Sequence, residues 1–70
     1  MPDPAEERLV RLVHDLRTPL TVITGFCELL ERQSDKLTEE QRKEYINRVA
    51  LAATELREIL DSERTERLSR

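Results

Sequence analysis

Glycine, cysteine and histidine each occur once in this 70-residue chain, and tryptophan is absent. Each shortage closes a class of function. One cysteine forms no internal disulfide, and one cysteine with one histidine falls short of a zinc site. One glycine leaves no glycine-rich loop to cradle a nucleotide phosphate. One Phe and one Tyr, with almost no turn-forming residues, leave little strand chemistry. The formal net charge of −3 provides no basic footprint for nucleic acid. No apolar run approaches the roughly 20 residues that span a bilayer. No signal-peptide pattern is present either, so the expected setting is soluble and cytoplasmic.

What the chain has instead is charge and aliphatic side chains. Charged residues make up 39% of it and hydrophobic residues 37%, the composition of a helix bundle with solvated outer faces and aliphatic seams. A unit of this size is one small domain, whose core alone seldom supplies more than a few kcal/mol.

The order of residues predicts two helices. Asp3 is placed to cap the first, Pro4 suits its first position and Glu6 sits where a capping-box partner belongs. From there Leu9, Leu16, Ile23 and Leu30 recur every seven residues. Leu12 and Phe26 fill a second seam position, and Val13, Leu20 and Cys27 widen the stripe. Cys27 is thereby expected to be a structural thiol in the seam. Helix 1 is expected over about 4–33 and a polar turn over about 34–37. Thr38-Glu39-Glu40-Gln41 then offers a second capping box. Helix 2 is expected over about 38–64, with its seam at Ile46, Val49, Ala53, Leu56 and Leu60, flanked by Tyr45, Ala52 and Ile59. After Leu60 the apolar pattern stops, and residues 61–70 read as the start of a connector.

Both stripes use three heptad positions, which is too wide for one helix–helix contact. A lone hairpin would leave part of each stripe wet, and an exposed apolar strip marks an interface. The expected fold is therefore all-α, an antiparallel helical hairpin that homodimerises into a four-helix bundle.

One stretch stands apart from this packing logic: Leu12-Val13-His14-Asp15-Leu16-Arg17-Thr18-Pro19-Leu20. With Leu9 and Leu16 inward, His14 falls at the outermost heptad position, and Thr18 lies one turn on along the same outer face. Thr21 and Gly25 continue that file of small residues, a low-relief strip beside a potential nucleophile. For Thr21 and Gly25 taken alone, ordinary surface positions explain the residues equally well. Pro19 costs about 3 kcal/mol in a helix interior and removes the hydrogen bond to the Asp15 carbonyl. It is expected to bend the helix just below His14. Ending the helix at Pro19 would conflict with the seam that continues through Ile23, Phe26 and Leu30.

His14-Asp15-Leu16-Arg17-Thr18-Pro19-Leu20 resembles, at all seven positions, the H-box of sensor histidine kinases, H-[E/D]-[L/I]-[R/K]-[T/N]-P-L. The helix, short turn and second amphipathic helix resemble that family's dimerisation and histidine-phosphotransfer domain over about residues 5–65. The resemblance implies that His14 accepts the γ-phosphoryl group of ATP on its outer ring nitrogen. Asp15 would be the general base, with a reach one methylene shorter than the glutamate common at this place. Thr18 would help position water when the response regulator is dephosphorylated, and Pro19 would let the helix flex around His14. Arg17, Thr21 and Gly25 are candidate partner contacts; Arg17 could help hold an acidic partner or a phosphate, and is equally suited to a surface salt bridge.

The resemblance also implies that ATP and Mg²⁺ belong to a separate catalytic domain, with no cofactor or metal in this one. It would thus work as part of a larger histidine kinase and be inactive by itself. Sensor region and any transmembrane segments would lie upstream, the catalytic domain downstream. The partners implied are a second copy, that catalytic domain and a response-regulator receiver domain, with no nucleic acid and no direct membrane contact. Two other readings fit the pattern. A phosphorelay histidine phosphotransferase would never use ATP, and a plain dimerisation bundle would leave His14 inert.

Overall fold

The computed structural model describes residues 3–68, which form two helices, α1 (Pro4–Arg32) and α2 (Glu39–Leu68), joined by a short turn. Residues 69–70, the end of the expected connector, lie outside the described residues. Among those described, α2 remains helical to Leu68, past the point where its apolar pattern stops.

Local chemistry explains where each helix starts. The Asp3 carboxylate accepts from the backbone N–H of Ala5 at 2.7 Å and of Glu6 at 3.1 Å, satisfying two donors that have no partner within α1. Pro4 follows at the first helical position, where its missing N–H is not needed. At α2 the capping box is reciprocal: the Thr38 N–H donates to Gln41 Oε1 and the Gln41 N–H to Thr38 Oγ1, both at 3.0 Å. The turn closes through the N–H groups of Lys36 and Leu37, which donate to the Gln33 carbonyl, while the Arg42 guanidinium donates to the Ser34 carbonyl.

Two long-range contacts set the antiparallel register. The Phe26 and Tyr45 rings pack with centroids 5.2 Å apart near the turn. At the far end Arg8 Nη2 lies 3.1 Å from Glu63 Oε1. Stepping seven residues back from Phe26 and seven forward from Tyr45 brings Pro19 level with Ala52. These are the buried residues of the described hairpin, Ala52 retaining 5% exposure. Pro19 thus has a packing role: its ring lies in the seam, level with a small residue that leaves room for it. Helix α1 carries it without interruption from Pro4 to Arg32.

The seam between the helices is narrower than the stripes. On α1 the less exposed apolar positions are Leu12, Leu16, Pro19, Ile23, Phe26 and Leu30; on α2 they are Tyr45, Val49, Ala52, Leu56 and Ile59. Four residues assigned to the seam from sequence lie outside it: Leu9 (61% exposed), Ile46 (53%) and Leu60 (51%), together with Ala53. Cys27 is likewise exposed rather than enclosed. The cause is rotational. At 100° per residue, Leu9, Val13, Leu20 and Cys27 fall within about 40° of one another, beside the seam of α1. Ile46, Ala53 and Leu60 do the same beside the seam of α2. Both sets are displaced in the same rotational sense, and in antiparallel neighbours that brings them onto one common face. The hairpin measures 50 × 26 × 11 Å, a single layer of helices, so nothing among the described residues covers this face.

Candidate functional site

His14 lies about opposite the seam of α1, nearly three turns into the helix, where α2 cannot shield it. Its side chain is 82% exposed. Asp15, the next residue, is rotated toward the groove between the helices and is half-exposed. Its Oδ1 lies 3.6 Å from His14 Nδ1. That separation is slightly beyond a hydrogen bond, and short enough for a small rotamer change to make one. The carboxylate therefore addresses the inner ring nitrogen, and Nε2 is the nitrogen left to solvent.

The other residues singled out from sequence divide into two groups. Thr18 is exposed one turn beyond His14 on the same outer face, and its hydroxyl makes no hydrogen bond among the described residues. Thr21 and Thr24 differ. Their hydroxyls donate to the carbonyls four residues back, Arg17 at 2.8 Å and Leu20 at 2.9 Å, so each is turned onto its own helix. Gly25 sits mid-helix, where an added Cβ would meet nothing within 4 Å, so packing within this chain does not require glycine there. With Thr21, Val22, Phe26 and Leu29 it borders a shallow, mainly apolar depression on α1 below Thr18. Arg17 is exposed on the flank of His14 that faces away from Asp15. Pro19 is turned from this surface into the seam.

Sequence reasoning passed over Arg11. It lies three residues before His14 and borders two depressions. One is the open hollow formed with Glu6, Glu7, Val10 and His14. The other is the groove between the helices, where Asp15 faces Glu55 and Glu58. The i, i+3 spacing to His14 is the signal that identifies it.

Among the described residues, no group of three or more His, Cys, Asp or Glu side chains is placed to hold a metal ion. No described helix is long and apolar enough to cross a membrane. The one glycine lies inside α1, away from the turn, so the loop offers no glycine-built cradle for a nucleotide.

The fold and site together are those of a helical hairpin with a single exposed histidine on its outer face, beside a carboxylate. Residues 7–68 match the family model of the His Kinase A (phospho-acceptor) domain, and the chain belongs to that family. Its members serve as phosphoacceptor and dimerisation domains of histidine kinases in two-component signalling, and no ATP-binding catalytic domain is present in these 70 residues. No curated protein and no solved structure matches the chain.

Proposed function

We propose that His14 is the phosphoacceptor of a sensor histidine kinase. It would take the γ-phosphoryl group from ATP held by a separate catalytic domain and pass it to an aspartate of a response-regulator receiver domain. The observation that carries this is the pairing of an 82% exposed imidazole with a carboxylate 3.6 Å from its inner nitrogen. The Nε2 lone pair attacks the γ-phosphorus, and the bond from that phosphorus to the bridging oxygen breaks, releasing ADP. The Nδ1 proton passes to Asp15, acting as general base, and on to solvent. In the second transfer the P–N bond breaks and a P–O bond forms on the receiver aspartate. Thr18, whose hydroxyl is not held by its own backbone, would orient the water that later hydrolyses that acyl phosphate. Thr21 and Gly25 would lie under the docked regulator.

The working unit in this reading is a homodimer, the common apolar face of one hairpin packing against that of a second into a four-helix bundle. Two copies would bury Leu9, Val13, Leu20, Cys27, Ile46, Ala53 and Leu60 and leave both His14 side chains outside.

Labelling from radioactive ATP by a supplied catalytic domain tests the assignment. The wild-type chain should take an acid-labile label, and His14→Gln should take none while keeping full helicity and dimer mass. Label retained in His14→Gln, or acid-stable label in the wild type, would refute it.

A further inference from the structure

Between His14 and the groove that holds Asp15 stands one cation, Arg11. It is the only residue common to the hollow beside His14 and the groove bordered by Asp15. Its side chain is exposed and forms no ion pair among the described residues, in contrast to Arg8 with Glu63 and Arg48 with Glu44. Acidic groups do face it: Glu6 and Glu7 across the hollow, and Asp15, Glu55, Glu58 and Glu63 along the groove. None engages it within ion-pair distance, so its guanidinium remains available to an anion arriving at His14. Arg17 is displaced from His14 by the same three residues in the other direction. It borders neither depression.

We propose that Arg11, and not Arg17, is the residue that holds the phosphoryl group while it resides on His14. Neighbours at i and i+3 have Cβ atoms about 5–6 Å apart, within the reach of a guanidinium to the oxygens of a phosphoryl group on Nε2. A planar guanidinium can engage two of those oxygens at once. The division of labour is then spatial: Asp15 addresses Nδ1 from the groove side, while Arg11 holds the phosphoryl oxygens outside Nε2. The inference rests on His14 as acceptor, and its test is independent of ATP.

Potassium phosphoramidate phosphorylates an accessible imidazole without an enzyme. The Nε2–P bond forms, the bond from phosphorus to the ammonia nitrogen breaks, and ammonia leaves as ammonium with the proton from Nδ1. The labelled full chain is titrated by ³¹P NMR, which reads protonation of the phosphoryl group directly. A guanidinium in contact with the phosphoryl oxygens, about 4 Å from the charge in a water-like medium, favours the dianion by about three-quarters of a pH unit. Arg11→Gln should therefore raise the protonation midpoint by about that amount, Arg11→Lys should restore most of it, and Arg17→Gln should move it by less than half as much. The Arg11 shift should also shrink as salt is added. An unchanged midpoint in Arg11→Gln, an equal shift in Arg17→Gln, or no labelling of His14 would overturn the proposal. A chain that phosphoramidate labels but ATP with a catalytic domain does not would defeat the kinase reading and leave the Arg11 result standing.

Discussion

The hairpin exposes two long strips on α1 that differ in almost everything except exposure. One holds Leu9, Val13, Leu20 and Cys27; the other holds His14, Thr18, Thr21 and Gly25. Leu20 is 54% exposed and Leu9 61%, so solvent accessibility alone does not separate them from the polar strip. Side-chain chemistry does. The first strip continues onto α2 through Ile46, Ala53 and Leu60 and forms a flat apolar face, which lowers its free energy by leaving water. The second has nothing to gain from burial, and its groups act only where a partner or a substrate can reach them. In the function proposed above, being exposed therefore means two different things on the two sides of one helix: awaiting a second copy, or awaiting chemistry.

The most severe way to break this contrast is to charge the apolar face. Leu20→Asp should abolish the dimer and most of the helicity together, because an unpaired charge buried at an interface costs several kcal/mol. Among the described residues, buried side chains within one hairpin are confined to Pro19 and Ala52, so folding should be linked to association. Sedimentation and circular dichroism at micromolar concentration check this, and a helical monomer would show that the hairpin stands alone.

On the other strip, Asp15→Asn should leave fold and mass intact and slow labelling of His14 by about 10²–10⁴-fold, the range for loss of a general base. An undiminished rate would remove Asp15 from that role. Thr18→Ala should have a smaller and more selective effect: labelling unchanged, and loss of label from a phosphorylated regulator slowed by about ten-fold, the equivalent of one hydrogen bond in a transition state. Equal damage to both steps would mean that Thr18 shapes the helix and does not orient water.

The smallest effect belongs to the edge between the strips. Arg8→Gln, which removes the ion pair to the half-buried Glu63, should lower stability by no more than about 1 kcal/mol. The difference from wild type, read by thermal melting, should fade at high salt. A difference that persisted in 1 M salt would assign Arg8 a packing role instead.

Much of this architecture was legible because its causes are local. The Asp3 cap and the Thr38–Gln41 capping box are short-range events within one turn, and each is written in four consecutive residues. The excess width of the stripes was legible too. What could not be read was which apolar residues face the partner helix, because the two stripes overlap on each helix and differ by less than one residue's rotation. That choice is settled by contacts far apart in sequence, Phe26 with Tyr45 and Arg8 with Glu63. Leu9, Ile46, Ala53, Leu60 and Cys27 were accordingly read as one stripe with the residues that face the second helix, where the hairpin divides them between the seam and the open face.

The candidate site shows the same limit. His14 at the outermost position follows from heptad arithmetic. The different fates of the hydroxyls of Thr18 and Thr21 do not, since they depend on rotamers. Pro19 drew attention for its proximity to His14, whereas its burial level with Ala52 is a consequence of register that only the second helix reveals.

The Arg8–Glu63 contact has a mechanical side. The covalent turn with its capping box fixes one end of the hairpin, and this ion pair closes the other, where the chain enters α1 and leaves α2. A pair of rods pinned at one end behaves as tweezers. Measured along α1 at 1.5 Å per residue, His14 lies about 27 Å from the pinned end at Arg32 and about 9 Å from Arg8. Any spreading of the tips is thus delivered to His14 at about three-quarters of its amplitude, while residues beside the turn scarcely move. The histidine sits far enough out along the arm to feel a small tug at the tip.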